Sequence, residues 1–243
     1  MRKLIYFTLG NNIRYINLAK LCINSLYRAN YDGHFLFITD LKNEILNNIH
    51  FEKEPYFMDV NGSDLLMSSA NKLKIYNFDK INEFDKIIFS DLDILWLRSP
   101  DIIFDLLIDD KIYMSNEEPL MLEEHWGGKI FEHHEKLSII EKKIKGLNAG
   151  LFAFNKNCVF HFEKIYSFLN ENRHLVNICL EQPFINTYVY RNDIYDTKLN
   201  EYVTHDGYYR DSYDGVVLHF AGGPGSYEIK YLKMLEYCNR NLI

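Results

Sequence analysis

The 243-residue sequence is sparing with the residues that build special-purpose chains. It has five prolines and twelve glycines, too few for a collagen-like fibre or a low-complexity linker. Four cysteines, Cys22, Cys158, Cys179 and Cys238, are widely spaced and form no C-x-x-C pair. Neither a zinc knuckle nor a redox dithiol is signalled, and reduced core thiols are expected. No apolar run approaches the ~18 residues of a membrane span. The start, Met1 to Gly10, is basic and then apolar, but the apolar part is short for a signal-peptide core and runs into Asn11-Asn12. It reads as a first buried strand, and a cytoplasmic location is the expectation. Positive charge is in deficit, with 27 basic against 34 acidic residues and a net charge of −7. Such a potential repels phosphate backbones, so no nucleic-acid partner is expected. A local basic pocket for one small anion is compatible with it.

Apolar side chains are plentiful, at 47% of residues, with 18 Tyr and 17 Phe. A chain of this length and composition can bury a continuous core, and residues 1–243 read as a single domain. Lys3 to Thr8 is a short apolar strand closed by a turn. Ile13, Ile16, Ala19, Ile23, Leu26 and Tyr27 then recur at helical spacing, and His34 to Thr39 is a second strand. Strand, helix and strand within about 40 residues form a βαβ unit. The fold class expected is α/β, with a mixed, mostly parallel central sheet flanked by helices. The stretch 41–67 reads as irregular. Ser68 or Ser69 is a candidate cap for a helix reaching about Asn82, with Leu73, Tyr76 and Ile81 inward. Residues 85–90 are a buried strand, and Ser99-Pro100-Asp101 starts a helix. Lys111 to Ser115 and Gly150 to Asn155 read as strands, 157–170 and 183–190 as helices, and 216–220 as a last strand before a C-terminal helix. Residues 116–146 are polar and His-rich and carry no firm assignment.

The most informative segment is Ile87-Ile88-Phe89-Ser90-Asp91-Leu92-Asp93. In an extended chain residues i and i+2 share a face, so Asp91 and Asp93 project together where an apolar strand runs out. Ligands bind at that edge of open parallel sheets. Two carboxylates held close repel, and a hard divalent cation removes the penalty. Mg²⁺ or Mn²⁺ held in this way keeps positions free for water and phosphate oxygens. The chemistry expected is metal-assisted handling of a phosphate or diphosphate. A turn role for the pair stays open, as does a haloacid-dehalogenase-type phosphatase. That class needs a later acidic pair, and Asp109-Asp110 follows too soon.

The segment resembles the metal-binding motif of GT-A glycosyltransferases, and the surrounding pattern resembles glycosyltransferase family 8, which includes glycogenin. The resemblance runs in order over most of the chain. Tyr6-Phe7-Thr8-Leu9-Gly10-Asn11-Asn12 with Tyr15 is similar to the first-strand loop that holds uracil and ribose. Asn71-Lys72-Leu73 resembles the helix whose Lys approaches donor oxygens, and Asp91-Leu92-Asp93 the metal motif. Leu147-Asn148-Ala149-Gly150 resembles a sugar-contact strand, and Glu181-Gln182 with Asn186 a second sugar contact. Val217-Leu218-His219-Phe220 resembles the strand whose His is the third metal ligand. The chain departs from the pattern at Glu181, where Asp is usual, and at Gly225, where Lys is usual. Backbone N–H groups of Gly222, Gly223 and Gly225, or the later Lys230, are candidates to hold the diphosphate instead. Transferases of families 32 and 77 stay open.

The resemblance implies a hexosyltransferase using a UDP-sugar and Mn²⁺ or Mg²⁺, acting on a glycan or protein hydroxyl with retention of configuration. Asp91, Asp93 and His219 would hold the metal, and Asn148, Glu181 and Gln182 the hexose. A non-catalytic binder of sugar nucleotides or glycans and a self-glycosylating glycogenin-like primer are the alternatives. A homodimer stays open. Lys72 has a competing reading as a solvated helix face, Tyr15 as core, Asn148 as a turn residue, Glu181 and Gln182 as helix-start polar residues, and His219 as a hydrogen-bonded core histidine. His125, His133 and His134 fit no ligand spacing and read as a solvated face or acceptor-side loop.

Overall fold

A computed structural model of the chain describes residues 1–10, 12–60, 65–176, 179–222 and 227–241. The first half contains β1 (Lys3–Leu9), α1 (Tyr15–Arg28), β2 (His34–Thr39), α2 (Lys42–Asn48), β3 (Tyr56–Asp59), α3 (Leu65–Ala70), β4 (Lys86–Ser90), β5 (Ile94–Trp96), α4 (Asp101–Leu106) and β6 (Ile112–Leu120). The second half contains α5 (His133–Lys142), β7 (Lys145–Asn155), α6 (Val159–Glu171), α7 (Gln182–Arg191), β8 (Tyr195–Asp196), β9 (Val203–Thr204), β10 (Val217–His219) and α8 (Tyr227–Asn241).

Seven strands form one sheet in the order β3-β2-β1-β4-β7-β6-β8, and β5-β10-β9 form a small second sheet. The central pairs β1–β2, β1–β4 and β2–β3 are parallel, while β7 is antiparallel to both of its neighbours. The mixed, mostly parallel sheet expected from sequence is therefore present. Strand β1 shows why both faces are covered. Ile5, Phe7 and Leu9 enter one apolar cluster with α1, α4, α8 and the small sheet. Leu4 and Tyr6 enter the other, with α6 and α7. A strand buried on both sides is apolar at consecutive positions, as Leu4 to Phe7 are.

Several elements differ from the sequence reading. The stretch 41–67 holds α2 and β3, whose Ile45 alone is buried among the α2 residues. One buried residue per helix leaves no periodicity to detect. The helix expected over 68–82 is instead α3 followed by a 3-10 helix at Asn71–Asn77 and a 3-10 turn at Ile81–Glu83. Ser68 and Ser69 lie inside α3 rather than capping a helix. Ile13 precedes α1 and is exposed, so it is not part of the buried stripe. Residues 116–146 contain the end of β6 and the whole of α5. Helix α5 starts with a reciprocal cap between Glu132 and Glu135 and is tied to α7 by Arg191, which donates to both oxygens of Glu135 at 2.7 and 2.9 Å. Cys22, Cys158 and Cys238 are buried and Cys179 is half-buried, and none of the four is in a disulfide. Among the described residues no helix is long and apolar enough to cross a membrane.

Candidate functional site

The chain leaves the large sheet at Ser90, passes through Asp91-Leu92-Asp93, and enters the small sheet at Ile94. Both ends of this bridge are pinned. The register that sets Ser90 opposite Leu151 brings the Asp91 N–H against the Gly150 carbonyl, which accepts it at 2.7 Å. The pairing of Ile94 with His219 brings the Phe220 N–H to the Asp93 carbonyl at 2.9 Å. The same two pairings deliver the imidazole of His219 beside the carboxylates. One ligand atom from each of Asp91, Asp93 and His219 lies within 4.8 Å of the others.

The donor set suits a hard divalent cation. His219 Nε2 lies 3.2 Å from Asp93 Oδ1, yet among the described residues that buried oxygen has no hydrogen-bond partner. A buried carboxylate oxygen left unpaired is costly, and a cation between these atoms would satisfy it. Gly150 keeps the space open. A Cβ there would fall well inside van der Waals distance of His219 Cε1, 2.8 Å from Asp91 Oδ2 and 3.0 Å from Asn148 Oδ1.

Two lysines balance the acids. Lys230, from α8, is ion-paired with Asp93 Oδ2. Lys72 is buried, not on a solvated face. It lies 2.8 Å from Glu181 and 3.5 Å from Asp91, and donates to the Ala149 carbonyl at 3.1 Å. Burial pushes the Asp91 carboxyl up, against the pull of Lys72. Burial also works on Asp93, but His219 and Lys230 outweigh it and hold that carboxyl well below the usual range. Burial would lower Lys72, and the charges of Asp91 and Glu181 reverse the shift and raise it.

These groups line one cavity of about 1040 Å³. Thr8, Leu9, Gly10, Asn12, Tyr15, Leu92, Gly222 and Lys230 line it with the Asp pair, His219, Lys72, Asn148, Glu181 and Gln182. Asn11, Gly223 and Gly225 lie outside the described residues. Asn148 is inside β7, not in a turn. Its Oδ1 accepts the Gly150 N–H at 2.8 Å and its Nδ2 donates to Glu117 at 2.7 Å. Gln182 accepts the Ala149 N–H at 3.0 Å and donates to the His125 carbonyl at 3.2 Å. Tyr15 packs edge-on against Tyr227, with ring centroids 5.4 Å apart. Asn186 is fully buried and spends its amide on both backbone groups of Leu147. It supports the strand and does not line the cavity. His133 and His134 are exposed at the start of α5, whereas His125 lines the cavity.

Glu117, Ser68, Ser69, Cys179 and His205 also line the cavity and went unnoticed as site residues in the sequence. His205 links His219 to β6. Its Nδ1 lies 3.1 Å from His219 Nδ1 and its Nε2 lies 2.9 Å from Ser115 Oγ. Burial, then the neighbouring His219, pushes His205 down to about 3.

No family model matches the sequence, and no curated protein matches it. Solved structures do match in fold. The chain is 16% identical to the galactosyltransferase LgtC, crystallised with donor and acceptor sugar analogs. That match covers 98% of this chain and 94% of LgtC with a TM-score of 0.60. The glycosyltransferase GlyE of Streptococcus pneumoniae TIGR4 is 14% identical, with a TM-score of 0.63, covering 99% of this chain and 62% of that one. The bifunctional glycosyltransferase WbbM is 14% identical with a TM-score of 0.60. The match covers 98% of this chain, which spans about half, 51%, of WbbM. At these identities the likeness establishes the GT-A architecture of the sheet and its flanking helices.

Proposed function

We propose that the chain is a divalent-metal-dependent glycosyltransferase, resembling family 8, that moves a hexose from a UDP-sugar to a hydroxyl acceptor with retention of configuration. One observation carries this reading. Ligand atoms of Asp91, Asp93 and His219 meet around an Asp93 oxygen that has no hydrogen-bond partner among the described residues, inside a cavity that also presents Asn148, Glu181 and Gln182. The fold shared with the glycosyltransferases LgtC, GlyE and WbbM supports it.

Asp91, Asp93 and His219 would hold Mn²⁺ or Mg²⁺, an ion that neutralises the charge developing on a leaving diphosphate. The chain's own groups do the rest. Leu9 and the Tyr15 ring offer apolar surface for a base, and Thr8, Gly10 and Asn12 offer polar groups for the ribose. Lys230 and the backbone at Gly222 stand ready for the diphosphate. Asn148 and Gln182 are held by hydrogen bonds to neighbouring side-chain and backbone groups, so they orient hexose hydroxyls without reorganising. Glu181 is buried and already paired with Lys72. A carboxylate so engaged is a poor nucleophile, and it serves better to stabilise an oxocarbenium-like centre. Placing the acceptor hydroxyl against the anomeric carbon supplies much of the acceleration.

Incubation with UDP-glucose or UDP-galactose, Mn²⁺ and simple sugar acceptors, read by UDP release and intact mass, tests the proposal. Release of UDP that stops in EDTA is expected. Metal-dependent UDP binding with no release from any donor would make the chain a non-catalytic binder. A mass gain on the protein itself would make it a self-glycosylating primer.

A further inference from the structure

We propose that His205 is a positioning residue that fixes the tautomer of His219, leaving His219 Nε2 as a free acceptor aimed at the ion site. The inference rests on the metal site proposed above and concerns a residue that no motif identified.

The two Nδ1 atoms are 3.1 Å apart, so a single proton lies between them and one ring must accept. With both rings neutral, two arrangements are allowed. In the first, His219 Nδ1–H donates to His205 Nδ1, and His205 Nε2–H donates to Ser115 Oγ across 2.9 Å. His219 Nε2 then carries a lone pair. In the second, every bond reverses: Ser115 donates to His205 Nε2, His205 Nδ1–H donates to His219, and His219 Nε2–H faces Asp93. The second arrangement calls for a hydrogen bond at Asp93 Oδ1. That oxygen is 3.2 Å from Nε2 but has no hydrogen-bond partner of acceptable geometry among the described residues, and Lys230 sits on the other oxygen, Oδ2. The geometry therefore favours the first arrangement. It leaves two acceptors, Nε2 and Oδ1, facing one space, which is what a cation needs and what an imidazole N–H would spoil. Outer groups that orient a ligating histidine in this way tune metal affinity. Ser115 anchors the relay from β6, at the register break between Met114 and Ser115, and both histidines are largely buried.

The test is a long-range ¹H–¹⁵N spectrum of histidine-labelled, metal-free protein, with titration of Mn²⁺ alone by electron paramagnetic resonance. The spectrum should show His219 as the Nδ1–H tautomer and His205 as the Nε2–H tautomer. The reverse pattern overturns the proposal. His205→Leu removes the acceptor and should weaken Mn²⁺ binding by ~10–100-fold, with His219 drifting to the Nε2–H form. His205→Asn places an amide oxygen near the lost Nδ1 and should restore most of the affinity. A folded His205→Leu protein with wild-type Mn²⁺ affinity and an unchanged His219 tautomer overturns the proposal. If that variant fails to fold, the wild-type spectrum and the Asn variant decide. Absence of Mn²⁺ binding by the wild type, with the expected tautomers present, would sink the metal reading and leave the relay standing.

Discussion

Gly150→Ala adds one methyl group at the point where the carboxylates and the imidazole converge. Gly150 is not there for an unusual backbone angle, since the glycines with positive φ among the described residues are Gly127 and Gly222. It is there for space. The new Cβ would press on His219 Cε1 and stand 2.8 Å from Asp91 Oδ2. Non-bonded carbons settle at ~3.5–4.0 Å, so the ring and the carboxylate must retreat by about 1 Å. The backbone cannot give instead, because the Gly150 carbonyl holds the Asp91 N–H and its own N–H holds Asn148. Overpacking of this kind costs ~1–3 kcal/mol, which for a chain of this size lowers the melting temperature by roughly 2–12 °C. A displacement of about 1 Å at a reacting site costs on the order of 100-fold in rate. Mn²⁺ titration by electron paramagnetic resonance should therefore show affinity down by about tenfold or more, with UDP-sugar turnover falling further. Gly222→Ala is the comparison. Its φ is +58° and, among the described residues, nothing lies within 4 Å of the added Cβ. It should lose about 1–2 kcal/mol of stability from backbone strain and leave Mn²⁺ affinity unchanged. A Gly150→Ala protein with wild-type Mn²⁺ affinity would refute the reasoning.

Lys230→Met should tighten binding of Mn²⁺ alone by roughly tenfold, because a charge-assisted hydrogen bond of ~1.5 kcal/mol no longer competes for Asp93. UDP should bind the Mn²⁺-loaded variant more weakly, and unchanged Mn²⁺ affinity would show that ammonium and ion do not share that carboxylate. Glu135→Gln tests the tie between α5 and α7. The hydrogen bonds from Arg191 hold the Glu135 carboxyl below its usual value, so its contribution is complete above the unfolded carboxylate pKa of ~4.3 and is lost as pH falls through the lower folded value. Urea midpoints should show a deficit of about 1.5–3 kcal/mol at neutral pH that shrinks on acidification. A deficit independent of pH would assign the loss to packing.

The buried runs at β1, β2 and β4 were legible because a strand covered on both faces is apolar at consecutive positions, and nothing else that short looks the same. The Asp pair was legible for the opposite reason, since two carboxylates at the end of such a run need a partner. Strand β5 was hidden: Ile94 to Trp96 follow directly on a turn at Leu92 and Asp93 that no Gly or Pro marks, and their partner β10 lies far along the chain. The 3-10 helix at Asn71–Asn77 imitated an α-helix in its apolar positions. What distinguishes it is Lys72, which is buried because Glu181 and Asp91 meet it there, a long-range fact with no local trace. His205 and Glu117 stand in polar stretches without periodicity. Only the convergence of β6, β7 and β10 gives them partners. At the diphosphate end, Gly222 and Lys230, both legible as candidates, line the cavity, while Gly223 and Gly225 lie outside the described residues.

The order in which the two sheets can be completed has a consequence for synthesis. Every strand of the seven-stranded sheet has been made once Asp196 is in place. The small sheet must wait for Val217 to His219 before β5 gains its partner. Chains emerge from the ribosome N-terminus first, at ~5–20 residues per second, and fold in that order. A nascent chain can thus close its main sheet while Asp91 and Asp93 are anchored only from the β7 side, with neither the imidazole of His219 nor the ammonium of Lys230 yet present. An ion held by all three ligands would then be a late acquisition of the newborn chain. Its binding would report that β10 has joined β5 as well as that the main sheet has formed.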